Sequence, residues 1–127
     1  MSDYDSVYKV LVIDDDQGLQ KMLRVVLSAH GFDVVSAFTG EEGLALAKVE
    51  KPDVIVLDVM MPGIKGRDVC RSLKADAVTR DVPVLILSAK DSEDDIAAEL
   101  AAGAVGHLTK PVNSTSLLRK VKQILGA

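Results

Sequence analysis

The 127-residue chain contains no tryptophan, two phenylalanines, two tyrosines and a single cysteine, Cys70. One cysteine excludes a disulfide framework and points to a reducing compartment. Long apolar runs are missing as well. Val54 to Leu57 and Val84 to Leu87 are typical of the longest, far short of the roughly 20 residues a membrane-spanning helix needs. The opening residues, Met-Ser-Asp-Tyr-Asp-Ser, have neither a basic nor an apolar stretch, so no secretory signal is expected. Lys and Arg are outnumbered by Asp and Glu, 15 to 19. Phosphate backbones demand clustered cations, so no nucleic-acid partner is expected. Neither G-x-x-x-x-G-K-[ST] nor G-x-G-x-x-G occurs, which leaves nucleotide binding unsupported.

What is present is a chain 48% hydrophobic and 27% charged, with a mean hydropathy of +0.22. That balance excludes a disordered polymer. The length fits one domain, residues 1–127 with a core at about 9–126, able to bury about two-thirds of its unfolded surface without a disulfide or metal staple. A soluble, cytoplasmic protein is the expectation.

Five short apolar runs recur at even spacing: Val10–Ile13, Val34–Phe38, Val54–Leu57, Val84–Leu87 and Val105–Leu108. The continuous ones are rich in Val, Ile and Leu, as strands covered on both faces are. Helical patterns lie between them. Leu19, Met22, Leu23, Val26 and Leu27 form one stripe, with Gly31 as its stop signal. Thr39 and Glu42 form a capping box for a second helix that Pro52 ends. Val69, Cys70 and Leu73 mark a third, Ile96 and Leu100 a fourth closed by Gly103, and Leu117 to Leu125 a fifth capped by Asn113 or Ser114. The alternation predicts an α/β fold: a single-domain (βα)5 three-layer sandwich around a five-stranded parallel sheet. The last helix reaches the end of the chain, so no effector domain is expected after it.

Open parallel sheets bind ligands beyond the carboxyl ends of their strands. The first strand delivers Asp14, Asp15 and Asp16 there, the third Asp58, the fourth Ser88 and Ala89, and the fifth Lys110 and Pro111. Taken singly, each has an ordinary explanation: a turn residue, a helix cap or a solvated charge. Together, several carboxylates, a hydroxyl and an ammonium at one sheet edge are hard to explain as turn chemistry. The carboxylates repel one another, and one lysine compensates only part of that charge. A hard divalent cation resolves the excess. A carboxylate beside such a cation, with an ammonium and hydroxyl near it, suits phosphoryl transfer through an acyl phosphate.

The runs Val10-Leu11-Val12-Ile13-Asp14-Asp15-Asp16, Val56-Leu57-Asp58-Val59-Met60-Met61-Pro62-Gly63, Leu87-Ser88-Ala89 and Lys110-Pro111 resemble the response-regulator receiver domains of the CheY type. The likeness extends from Lys9 onward, in order and spacing. It implies the flavodoxin/CheY-like strand order 2-1-3-4-5. It also implies a two-component phosphorelay protein, a phosphoacceptor rather than an enzyme acting on a separate substrate, with self-catalysed phosphorylation and dephosphorylation. Asp58 would be the phosphoacceptor. Asp14, Asp15, Asp58 and the backbone carbonyl of Met60 would hold Mg2+, with Mn2+ an alternative. Lys110 would pair with the phosphoryl group, through a cis Lys110–Pro111 bond. Ser88 and His107 would form the switch, and Ala89, Met60 and Lys90 would control access to the site. Phosphorylation would turn an exposed His107 ring inward. The implied partners are a sensor histidine kinase or histidine phosphotransfer protein and an unidentified output protein. The implied assembly is a monomer or a weak, phosphorylation-dependent dimer with no membrane partner.

Three positions depart from the commonest receiver pattern: Lys65 in place of an aspartate, Val112 in place of an aromatic residue, and His107 in place of Tyr or Phe. None removes a site group. Met60 and Lys90 offer an attacking water no good acceptor, so a long-lived phosphorylated state is expected. Three alternatives compete. A haloacid-dehalogenase-type phosphatase would use Asp14-Asp15-Asp16 as its D-x-D motif, yet it needs further acidic ligands after its lysine. Pro111 to Ala127 contains no Asp or Glu. A phosphorylation-independent interaction module would leave the complete set of site residues without a purpose. A flavodoxin-type carrier fails because its flavin phosphate would meet three aspartates.

Overall fold

The structure, a computed structural model, describes residues 7–59, 66–89 and 92–126. Its strands are β1 (Lys9–Ile13), β2 (Asp33–Ala37), β3 (Val54–Asp58), β4 (Val84–Ser88) and β5 (Gly106–Thr109). All pair in parallel, in the order β2-β1-β3-β4-β5. The helices are α1 (Gln17–Ala29), α2 (Gly40–Glu50), α3 (Gly66–Ala75), α4 (Glu93–Ala101) and α5 (Ser114–Leu125). This is the expected fold, with the expected order.

The continuous apolar runs are explained by burial on both sheet faces. Leu11, Ile13, Ile55, Leu57, Val84 and Ile86 pack with Ala47 of α2 and with Val69, Cys70 and Leu73 of α3. The alternate residues Val10, Val12, Val54, Val56, Leu85 and Leu87 pack with Leu23 and Leu27 of α1 and with Leu117 and Val121 of α5. The period of two along each strand thus feeds two cores, and no strand position in β3 or β4 is left for solvent. Each such Val, Leu or Ile contributes about 1.5–3 kcal/mol on burial.

The helix ends follow their local chemistry. Thr39 Oγ1 accepts the Glu42 amide at 3.1 Å while Glu42 Oε1 accepts the Phe38 amide at 2.6 Å, a capping arrangement that fixes the start of α2. Asn113 caps α5. After α1, Gly31 adopts φ +86° and the Phe32 amide donates back to the Leu27 carbonyl at 3.0 Å, a turn in which glycine avoids the Cβ penalty.

Three apolar residues stand elsewhere than expected. Phe38 lies beyond β2 and Val105 before β5, both exposed, and Leu100 points outward from α4 at 50% exposure. The inward position beside Leu100 belongs to Glu99, which is 1% exposed. One residue along a helix is a rotation of about 100°, so burying Glu99 turns Leu100 to solvent. The reason lies on β5, where His107 awaits that carboxylate.

Candidate functional site

The strands bring their last residues together at one edge. Asp58 and Ser88 are the final residues of β3 and β4, and Asp14 follows directly after β1. Asp14 and Ser88 are fully buried and Asp58 is 3% exposed. Asp15 is exposed beside them, and one oxygen from each of Asp14, Asp15 and Asp58 lies within 4.8 Å of the others. Lys110 reaches in from the end of β5, its Nζ 3.1 Å from Asp14 Oδ2 and 3.2 Å from Asp58 Oδ2. Its amide donates to the Ser88 carbonyl at 2.9 Å, which ties the lysine to the end of β4. The Lys110–Pro111 peptide is cis, as the resemblance implies.

Burial raises the Asp14 carboxyl above its usual value. The Asp16 amide works against this, the Asp58 charge adds to it, and the Lys110 ammonium opposes it. Burial alone would lower the Lys110 pKa, but the hydrogen bond and charge of Asp14, together with Asp58, outweigh it and leave the ammonium held more tightly than usual. Two buried carboxylates thus share one cation. The donor set fits a hard divalent ion: three carboxylates in reach of one point, one of them open to solvent, with no soft ligand in the group among the described residues.

The third aspartate of the run does something else. Asp16 Oδ1 accepts the Leu19 amide at 3.1 Å and caps α1, so for this residue the ordinary helix-cap explanation is the correct one. Its own amide donates to Asp14 Oδ1 at 2.9 Å. Beside Lys110 an open groove of about 390 Å3 is lined by Asp16, Gly18, Leu19, Met22, Lys110, Pro111 and Val112. Ala89 is exposed next to Ser88. Met60, Lys65 and Lys90 lie outside the described residues. The His107 ring is 9% exposed, with Nδ1 2.6 Å from Glu99 Oε1 and Nε2 3.3 Å from Thr109 Oγ1. The ring therefore starts from a covered position, not the exposed one expected, because Glu99 draws it inward.

Three further positions of structural consequence escape the strand-end pattern. Gln20 is a buried polar residue of α1. Its signal in the sequence is its place three residues before Leu23 and seven before Leu27, on the inward face. Glu99 is the second. Gly66 is the third: a Cβ there would stand 2.2 Å from Val59 Cα and 2.9 Å from the Asp58 carbonyl oxygen, so the start of α3 presses on the backbone that carries Asp58.

The sequence model of the response regulator receiver domain matches residues 10–122. The chain belongs to that family. This receiver domain is 39% identical over 117 residues to the protein PilH of Pseudomonas aeruginosa, covering 92% of this chain and 97% of that one. It is 42% identical to the alkaline phosphatase synthesis transcriptional regulatory protein PhoP of Bacillus subtilis, again over 92% of this chain but only 48% of the relative. Against the response regulator PleD of Caulobacter vibrioides it spans 26% of the relative. Several of these relatives are thus two to four times longer than the matched region. Among solved structures, the chemotaxis protein CheY4 of Vibrio cholerae superposes with a TM-score of 0.90 at 32% identity, covering 94% of this chain and all of that one. A response regulator from Chloroflexus aurantiacus gives 0.89 at 34% identity, over 96% of this chain and 100% of that one. Receiver domains of response regulators work in two-component signalling and bind Mg2+ at an acidic cluster, and the phosphatase and interaction-module alternatives are not favoured.

Proposed function

We propose that Asp58 of this receiver domain accepts a phosphoryl group from a histidine phosphodonor. The observation that carries the proposal is the shared ammonium: Lys110 stands within 3.2 Å of both Asp14 and Asp58, so the buried acidic cluster keeps a net negative charge. An Asp58 carboxylate oxygen attacks the phosphorus, the phosphorus–nitrogen bond of the donor breaks, and the imidazole leaves with the bonding pair. Asp14, Asp15 and Asp58, with the Met60 carbonyl, would hold Mg2+, which when bound offsets charge on the phosphoryl oxygens. Lys110 stabilises the charge spread over those oxygens and Ser88 donates to one of them. Water later cleaves the acyl phosphate, returning Asp58 and inorganic phosphate. In this reading Met60 and Lys90 slow that step, and Ser88 and His107 relay the change to the surface around α4 and β5.

The partners in this reading are a histidine kinase or phosphotransfer protein and an output protein, met in the cytoplasm by a monomer or a phosphorylation-dependent dimer. Among the described residues no helix is long and apolar enough to cross a membrane. Incubation with acetyl phosphate and Mg2+ tests the assignment by intact mass. The native chain is expected to gain one phosphoryl group and Asp58→Asn none. Equal labelling of the variant would sink the proposal.

A further inference from the structure

Behind the acidic cluster lies a side chain that no strand delivers. The Gln20 amide nitrogen is 3.0 Å from the Val12 carbonyl, 3.0 Å from the Asp14 carbonyl and 2.9 Å from the Ala37 carbonyl. Three oxygens converging on one point admit a donor and repel an acceptor, so the amide orientation is fixed; Oε1 is buried without a hydrogen-bond partner among the described residues. An amide nitrogen has two hydrogens for these three acceptors, so one is shared. The three carbonyls belong to the end of β1, the residue beyond it and the end of β2. Asp14 lies past the last paired residue of β1; its amide still donates to the Ala37 carbonyl at 3.0 Å, and beyond that bond the ladder no longer fixes the backbone.

We propose that Gln20 is a positioning residue for the cation-holding turn, setting through its amide where the Asp14 and Asp15 carboxylates stand. The Asp14 carbonyl and the Asp15 amide share one rigid peptide plane. Anchoring that carbonyl to α1 sets the direction in which Asp15 leaves the strand. The Asp14 side chain is held from the other side, where Oδ1 accepts the Asp16 amide at 2.9 Å. Asp16 in turn caps α1, the helix that carries Gln20. The turn is thus clamped between two contacts from the same helix. Without the Gln20 donor, the Asp14 carbonyl loses its anchor to α1, and the direction in which Asp15 leaves the strand is less firmly set.

The proposal rests on the reading that Asp14 and Asp15 hold Mg2+, and the test separates the two. Mg2+ is titrated into native protein, Gln20→Met and Thr79→Val, following the amide resonances of Asp15 and Asp16. Thr79 Oγ1 donates to the buried Leu73 carbonyl at 2.7 Å, after α3 and before the start of β4, so Thr79→Val removes a comparable bond far from the cluster. Gln20→Met is expected to weaken Mg2+ binding about tenfold or more, as loss of an outer partner of a metal ligand does. Thr79→Val is expected to lower the melting temperature while binding Mg2+ as the native chain does. Gln20→Ala, which leaves room for water to meet the same carbonyls, carries the same test if the methionine variant does not fold. Native affinity in the Gln20 variants, or equal loss in Thr79→Val, overturns the positioning role. No Mg2+ response in the native chain overturns the underlying reading instead.

Discussion

Buried carboxylates meet a base at two places in this receiver domain, and the two contacts differ in how many carboxylates share the base. At the strand ends, Asp14 and Asp58 share the single ammonium of Lys110 at 3.1 and 3.2 Å, with Asp15 open to solvent beside them. Between α4 and β5, Glu99 meets His107 one to one at 2.6 Å, with both side chains covered. The first arrangement is short of positive charge and has an opening, so it is completed by something from outside. The second is covered from solvent, with Glu99 Oε2 buried and without a hydrogen-bond partner among the described residues, and it ties α4 to the edge strand β5. Burying a polar pair in this way is costly unless both members stay matched. The same chemistry therefore makes a binding site in one place and a fastening in the other.

The sharpest way to break this comparison is to remove one partner from the closed pair. Glu99→Ala leaves the His107 ring facing a gap where its acceptor stood. It is expected to cost about 3–5 kcal/mol in urea unfolding, the scale for breaking a buried pair. Replacing both members with apolar groups, Glu99→Leu with His107→Phe, is expected to recover most of that loss, because no polar atom is then left unmatched. A Glu99→Ala variant as stable as the native chain would mean that the contact fastens nothing.

Gly66 supports the open site from behind in a way no fastening could. Gly66→Ala must displace the Val59 backbone or the Asp58 carbonyl, which an added Cβ would meet at 2.2 and 2.9 Å. The expected result is a loss of about 1–3 kcal/mol, the range for overpacking, together with slower labelling of Asp58 by acetyl phosphate. Unfolding curves and labelling rates on one preparation check both. Lost stability with native labelling would separate Gly66 from the site.

Much of this was legible in the sequence, for a physical reason. Parallel strands covered on both faces advertise themselves as apolar runs, and the polar residue that ends each run is the one at the ligand-binding edge. Asp14, Asp58 and Ser88 are such residues, and Lys110 follows one position after Thr109, which ends the last run. Gln20 and Glu99 were hidden because helix periodicity counts apolar positions, and each is a polar residue on an inward face. Leu100 drew attention away from Glu99, though the carboxylate has the better partner. His107, a departure from the commonest receiver pattern, was visible; that its partner sat eight residues earlier on α4 was not, since spacing within a strand says nothing about the helix packed against it. Gly66 carries no apolar or charged signal of its own, and only the approach of the Val59 backbone reveals why a side chain has no room there.

The smallest expected effect concerns the charge surplus itself, and its sign runs opposite to that of Glu99. Burial raises the Asp14 pKa above the usual 3.8, with the Asp58 charge adding to that effect and the Asp16 amide and Lys110 opposing it. The folded chain therefore holds this proton to higher pH than the unfolded chain does. The stability contributed by protonated Asp14 is complete below 3.8 and is lost as pH rises through the raised value, leaving the ionised group a standing cost at neutral pH. Asn cannot ionise, yet its oxygen can still accept the Asp16 amide, and Lys110 keeps Asp58. Asp14→Asn is therefore expected to stabilise the Mg2+-free protein by about 1 kcal/mol at pH 7, as relief of like-charge crowding at a functional site does. The advantage should shrink towards zero as pH falls below 3.8. Mg2+ should reverse it, because tenfold excess over the native dissociation constant adds about 1.4 kcal/mol to the native chain alone. Urea unfolding at pH 7 and pH 3.5, with and without Mg2+, measures all three. If Asp14→Asn destabilises the metal-free protein, Asp14 fastens the structure as Glu99 does, and the contrast between the two contacts disappears.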